Sequence, residues 1–556
     1  MIMKKYIGLS IIALSMGLTS CNDYLDKLPD DRAEVNTEEK VNKLLVSAYL
    51  DHSPSFLFWM SSDDVDDNGT VYTAQLNQEQ MYRWQNVEGR NNDDPRTLWN
   101  NYYEKAATAN EALGAISSMG NPASLSGQRA EALLCRAYAL FMCANTFCMA
   151  YDPEKADQYL GIPYPKSPGV TVNERGTLAE TYANIAADIE EALPLVNEDH
   201  LSVPKYHWNL KAANAFAARF FLYYHDYDKA IQYATACLGT NPSEVLHNIG
   251  QWSSLGAADF FHAYKASNVN ANLIFMPAYS ICGRATSGSS SYKRFGLNRI
   301  ITLNEMFWVS TPWWGSGSSA NVFWPSHKLY GSNQNIRFPV QNEEFEYTDK
   351  VGSTGYAHIL EVPFQGEETL LCRAEAYALK GDFSNAIADM NTWASSFTAE
   401  SYIYTSGGKR YIKRRTDITQ ENLDEFFENM YYSAVTPDDG ITSSDLSKNS
   451  ELAAQMRWMK KKLHPQGFTV ATGTQENCIN LILWMRRVSM PYQGIRFQDL
   501  KRYGIEYSHF LDGEDPIVFK AGDLRGAIQL PDDVIQAGLE PNPREESTAS
   551  ESEPSE

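Results

Sequence analysis

Between Trp208 and Pro242, small and apolar residues recur at helical intervals on both sides of a short polar turn. Ala218, Phe221 and Leu222 precede His225-Asp226-Tyr227, and Ala230, Ala234 and Cys237 follow it. Two such stripes predict antiparallel helices whose small residues let the axes approach closely. The closing Pro242 completes a tetratricopeptide-like pattern. The unit recurs downstream, where Asp226-Tyr227-Asp228-Lys229-Ala230-Ile231 reappears as Asp382-Phe383-Ser384-Asn385-Ala386-Ile387. Ala218 lies as far before the first turn as Ala374 before the second. A five-residue string, Leu133-Leu134-Cys135-Arg136-Ala137, returns as Leu370-Leu371-Cys372-Arg373-Ala374. Chance recurrence of apolar residues is the competing explanation, and the matched turn offsets weigh against it. The expected fold is mainly α, a single compact body with a scaffold of tetratricopeptide-like helical hairpins at about 95–240 and 365–400.

Other stretches carry the same period. Thr37 to Leu50 reads as an amphipathic helix with Val41, Leu44, Leu45 and Ala48 on one face. Trp99 to Met119 and Gln128 to Met149 read as the arms of a first hairpin, Gly366 to Phe397 as a later one, and about 445–505 as a C-terminal helical segment. Thr177-Leu178-Ala179-Glu180 has the form of a capping box. Gly161-Ile162-Pro163-Tyr164-Pro165 is expected to be extended, because proline restricts itself and its predecessor. From about 243 to 364 the helical period gives way to Gly, Ser, Asn and aromatic residues, a loop-rich insertion of the kind that carries function.

The amino terminus reads as a processing segment. Lys4 and Lys5 precede an apolar run from Ile7 to Leu18 that is too short to span a bilayer, and Leu18-Thr19-Ser20-Cys21 follows. That tetrapeptide resembles a bacterial lipobox, implying removal of residues 1–20 and lipidation of Cys21, with 21–36 as a tether. An ordinary secretory signal with a stray cysteine is the alternative. Of the seven later cysteines none forms a C-x-x-C pair, and Cys135, Cys143 and Cys148 fall among apolar residues as buried thiols. The Glu- and Ser-rich tail, 544–556, is expected to be disordered.

Charge narrows the partners. With 47 basic against 69 acidic residues the formal net charge is -22, which repels nucleic acid. Aromatic residues make up 12% of the chain, more than helix packing requires. Asp64-Val65-Asp66-Asp67-Asn68-Gly69 places oxygen ligands at alternate positions, so Asp64, Asp66 and Asn68 are candidates for calcium; Gln75 stands where the bidentate glutamate belongs. A solvated acidic turn, or groups that hydrogen-bond a ligand, is the competing reading. Trp313 and Trp314, in Thr311-Pro312-Trp313-Trp314-Gly315, and Trp324 beyond them present indoles suited to stacking on sugar rings, or to packing the insertion onto the helices. Gly315 to Ala320 fits G-x-G-x-x-A, but no strand leads in and no helix leads out, which excludes a dinucleotide site. The alternating basic and apolar residues of Leu483 to Val488 and Gly494 to Gly504 are expected to pair with carboxylates rather than with RNA.

Several of these segments, in their order, resemble the SusD-like (RagB/SusD) outer-membrane nutrient-binding lipoproteins. They are Cys21-Asn22-Asp23-Tyr24-Leu25-Asp26, Trp99 through Asn110, Gly161-Ile162-Pro163, the Asp226-Tyr227 repeat and Arg373-Ala374-Glu375-Ala376. Gly494 to Gly504, and Ile528-Gln529-Leu530-Pro531 with Asn542-Pro543, complete the series. One departure is Met485-Arg486-Arg487 with Ser489 and Gln493, where the family commonly has Glu-Arg-Arg and further acids. The resemblance implies a SusD-like domain over 37–543 in a lipoprotein lipid-anchored to the outer membrane and facing the cell exterior. It further implies that the protein captures glycan, needs no cofactor, performs no catalysis and forms a lid on a TonB-dependent SusC-like transporter. Carried to this chain, it points to Trp313, Trp314 and Trp324 for stacking and to Tyr72, Asp66, Asp67 and Asn68 for hydroxyl recognition. A surface-anchored glycoside hydrolase and a pure protein–protein adaptor are the alternatives.

Overall fold

The helical periodicity becomes a row of antiparallel helices in the computed structural model, which describes residues 35–169, 174–287, 290–314, 322–435 and 458–544. Residues 1–34, the Gly315 to Ala320 motif, the start of the expected C-terminal helical segment and the tail from 545 lie outside the described residues. The principal helices are α1 (Glu38–Val46), α2 (Pro95–Ser118), α3 (Ser126–Phe147), α4 (Leu178–Ala192), α5 (Leu210–Tyr223), α6 (Tyr227–Leu238), α7 (Gly366–Leu379), α8 (Phe383–Phe397), α9 (Thr474–Ser489) and α10 (Ile495–Arg502). In the row α2 packs on α3, α3 on α4, α5 on α6, α6 on α7 and α7 on α8, while α9 lies across α7. Ala218, Ala230 and Ala234 are fully buried at the α5–α6 contact, as their small size requires.

The sequence repeats perform the same tasks twice. The side chain of Asp226 caps α6 by accepting from the Lys229 amide at 3.1 Å, and Asp382 caps α8 from the Asn385 amide at 3.2 Å. Each cap follows a residue in left-handed geometry, His225 at φ 63° and Gly381 at φ 78°. The recurring string supplies an arginine for a bidentate ion pair to the next helix: Arg136 to Asp188 at 2.6 and 2.7 Å, Arg373 to Asp389 at 2.7 and 2.9 Å. The capping box at Thr177 and Glu180 is formed at the start of α4.

The insertion is less irregular than its composition predicts. Strands β2 (Asn272–Ala278) and β7 (Thr354–Gln365) pair antiparallel, and β7 also pairs with β6 (Glu344–Asp349), giving a three-stranded sheet. Before these, β1 (Asp66–Asp67) pairs with β3 (Phe295–Gly296), and β4 (Tyr330–Ser332) with β5 (Asn335–Arg337). Of the expected C-terminal helical segment, the described residues show a helix from Thr474, and the chain from Trp458 up to it is non-helical.

The arginines of α9 and α10 pair with carboxylates. Glu375 on α7 accepts from Arg486 at 2.5 Å, Arg502 at 2.6 Å and the Tyr503 hydroxyl at 2.7 Å, and Asp499 accepts from Arg486 at 2.8 Å. Arg487 reaches Asp64 at 2.6 Å and Glu305 at 2.7 Å, while Arg496 holds Asp63 through two 2.7 Å bonds. The acids missing beside Met485 are thus supplied from other segments. Burial alone would raise the Asp63 carboxyl, but Arg487, Arg496 and Lys461 more than offset it and hold that group far below the usual range. Its neighbour Asp64 is pushed up by burial and by the charge of Asp63 despite Arg487.

A further buried carboxylate ties down the segment that follows α1. Glu131 on α3 accepts from the Tyr49 hydroxyl at 2.5 Å and lies 2.7 Å from both His200 Nε2 and His207 Nδ1. Burial pushes this carboxyl up, yet the His200, His207 and Tyr49 hydrogen bonds win and lower it to about 2. The folded value lies below that of an unfolded glutamate, about 4.3, so the resulting stability is present at neutral pH and fades as pH falls from about 4.3 toward 2. Urea melts of wild type and Glu131→Gln should therefore differ most at pH 7, with the gap about halved at pH 3 and closing only near pH 2 or below. A gap that stays constant over that range would contradict the assignment.

Candidate functional site

The β1–β3 pairing joins the acidic loop to the insertion. Asp66 stands opposite Gly296 and Asp67 opposite Phe295, and the Asn68 amide donates to the Arg294 carbonyl at 2.6 Å. The segment 297–299 continues this contact to the β4–β5 hairpin, with the Ile336 amide on the Leu297 carbonyl at 2.7 Å and the Arg299 amide on the Asn333 carbonyl at 2.8 Å. Asp66, Asp67, Asn68 and Tyr72 therefore share one face with residues far along the chain.

On that face the acids serve the fold. Asp66 accepts from Asn298 Nδ2 at 3.0 Å, and Asp67 accepts from Arg294 Nη2 at 3.1 Å and from the Gly69 and Asp512 amides at 2.9 and 3.2 Å. Asn68 donates its side-chain amide to the Lys293 and Gln334 carbonyls at 2.9 and 2.8 Å. These three side chains are engaged in holding the loop. Tyr72 keeps a half-buried ring beside them. The calcium arrangement does not form, because Asp64 turns to Arg487 and Asp66 to Asn298. Among the described residues no group of three or more His, Cys, Asp or Glu side chains is placed to hold a metal ion.

The expected tryptophans lie elsewhere. Trp313 and Trp314 are only 3% and 1% exposed. The Trp313 ring sits 5.9 Å from Trp393, and its indole N–H donates to Asn391 Oδ1 at 2.8 Å. Trp313 packs the insertion onto α8, and with both rings buried neither is open for stacking. Trp324 is half-buried against Gly250 and His327, where a Cβ at Gly250 would stand 2.8 Å from the indole nitrogen.

Other aromatic residues serve the loop face. Trp308 is half-exposed with the Arg299 guanidinium 5.7 Å above its ring, and Tyr330, opposite Arg337 on β4, is 42% exposed. In Met306-Phe307-Trp308 the first two side chains are buried and the third is left toward solvent, a pattern visible only once the local helical phase is known. The face thus offers aromatic rings with guanidinium and amide groups around them, a combination that fits apolar C–H surfaces bearing hydroxyls.

Comparison with known proteins agrees with the resemblance read from the sequence. Residues 23–222 match the family SusD-like_3, described as starch-binding associating with outer membrane. No curated protein sequence matches the chain. Among solved structures, a SusD superfamily protein from Bacteroides thetaiotaomicron VPI-5482 is similar at 16% identity over 91% of this chain and 98% of its own, with a TM-score of 0.59. A SusD superfamily protein from Bacteroides vulgatus ATCC 8482 gives 17% identity, 90% and 97% coverage and a TM-score of 0.56. A SusD-like carbohydrate binding protein from the same strain gives 14% identity, 87% and 88% coverage and a TM-score of 0.50. The family match thus covers 23–222, and the fold of these SusD superfamily structures is shared over nearly all of the chain's length.

The burial of the paired indoles is directly checkable. Trp314→Ala should cost about 3–5 kcal/mol in a urea melt, the usual range for emptying a large core site. A change of less than about 1 kcal/mol would mean that the ring is not packed as described.

Proposed function

We propose that this protein is a non-catalytic, glycan-binding surface lipoprotein that holds an oligosaccharide on the loop face built by β1, β3 and β4–β5. Its lipid anchor is Cys21, and it passes its ligand to a TonB-dependent SusC-like transporter in the outer membrane. The observation that carries the reading is the β1–β3 pairing, which sets Tyr72, Trp308 and Tyr330 on contiguous loops with their rings still accessible. The description of the matched family as starch-binding and outer-membrane associated supports the ligand class and location, and makes an α-glucan the first ligand to try. Among the described residues no helix is long and apolar enough to cross a membrane, in keeping with attachment through lipid. A glycosidase needs two carboxyl groups flanking the scissile bond, whereas Asp66 and Asp67 are committed to Asn298 and Arg294.

Affinity electrophoresis against a panel of neutral polysaccharides tests this directly. The protein should be retarded by its glycan without releasing reducing ends, and Trp308→Ala and Tyr330→Ala should each weaken retention roughly three- to tenfold with the fold intact. Cells carrying the full chain should hold that glycan at their surface, and Cys21→Ser should abolish surface retention. Released reducing ends, or unchanged retention in the loop variants, would overturn the proposal.

A further inference from the structure

A concavity lies apart from the loop face, where the C-terminal end of α1, helix α2, the turn at 204–207 and the β2–β7–β6 sheet meet. It is an open cleft of about 680 Å³, within the range of small-ligand sites. Its floor is apolar, formed by Leu50, Met276, Pro277 and Ala278. One wall carries Tyr206, 41% exposed, with its ring 5.6 Å from that of Phe275. Across the sheet Tyr279 is half-buried and meets the exposed Tyr356 edge-on at 5.6 Å. Aromatic faces on two sides of an apolar floor are what a sugar ring requires.

The charge of this cleft is specific. Its lining holds three carboxylates, Asp51, Glu104 and Glu346, against one ammonium, Lys105. That ammonium is already neutralised, lying 2.7 Å from Asp51 and 3.4 Å from Glu104. Its two histidines are likewise engaged by carboxylates, His207 with Glu131 at 2.7 Å and His358 with Glu344 at 3.7 Å. Glu346, exposed on β6, has neither role, and the site keeps an excess of negative charge beside open tyrosine faces. Both features attract a cation, the carboxylates by Coulomb attraction and the rings through their quadrupoles.

We infer that the cleft is a second carbohydrate site, selective for a sugar bearing a free, protonated amino group. The inference rests on the glycan-binding reading only in taking a sugar as the occupant. A neutral sugar gains stacking alone here, and an anionic one is repelled.

The test is calorimetric titration of the full chain with a β-1,4-linked glucosamine oligosaccharide and with its fully N-acetylated counterpart, which keeps the rings and removes the charge. The free amine should bind at least tenfold tighter than the acetylated form and lose affinity as salt is raised. Glu346→Gln and Tyr206→Ala should each weaken it about fivefold or more, and Trp308→Ala should leave it unchanged. Equal binding of the two forms, or undiminished binding in both cleft variants, would overturn the inference. The neutral-glycan panel fails or succeeds separately: loss of neutral retention with the amine still bound sinks only the loop-face reading, and the reverse sinks only the cleft.

Discussion

The position of every loop on the candidate face depends on charges buried beneath it. Arg486, Arg487, Arg496 and Arg502 project from the two C-terminal helices and are met by Asp63 and Asp64 from the start of the domain, Glu305 from the insertion and Glu375 from the helical row. Desolvating so many ions is costly, and such pairs add little stability over a well-packed apolar core. Removing one partner is a different matter, because the charge left behind is buried and unmatched, at a cost of about 3–5 kcal/mol. The arrangement therefore selects one relative placement of segments more than four hundred residues apart. Asp66 to Asn68 follow Asp63 and Asp64 at once, so the edge that pairs with Phe295 and Gly296 is set from below.

The helical row supplies the rigid support for that placement. Its hairpins draw on a small kit: an aspartate cap after a left-handed residue at α6 and α8, alanines at the α5–α6 crossing, and an arginine clasping the next helix from α3 and α7. Glu375 follows the clasping Arg373 by two residues on α7, so the same helix holds α8 through one and α9 and α10 through the other. The scaffold and the loop face are thereby one mechanical unit. The loop face and the acidic cleft both lie where this unit meets the sheet and hairpins of the insertion.

The sequence made the scaffold legible because its signals are local. Helical period and the Thr177 box each act within a few residues, and the hairpins they predicted formed. Pairing of arginines with acids was also readable from the alternation around Arg486 and Arg496, although the partners were not. The site was much less legible. Trp313 and Trp314 sit among Gly, Ser and Pro and read equally as a stacking loop or as packing onto the helices; Trp393, which meets Trp313, lies eighty residues away, so only the folded chain decides for packing. Asp64, Asp66 and Asn68 have calcium-like spacing, yet the groups that claim them are Arg487, Asn298 and the Lys293 and Gln334 carbonyls. The β2–β7 sheet escaped notice because its strands are separated by some eighty residues and carry no hairpin turn between them.

If the buried ions hold the loop face, loosening one of them should be felt there first. Hydrogen–deuterium exchange of Arg487→Met against the unaltered protein reads this directly. The account predicts faster exchange in Asp63 to Thr73 and in Arg294 to Met306, with helices α2 to α6 unchanged. Unaltered exchange in those two segments, or loosening spread evenly through the helical row, would contradict it.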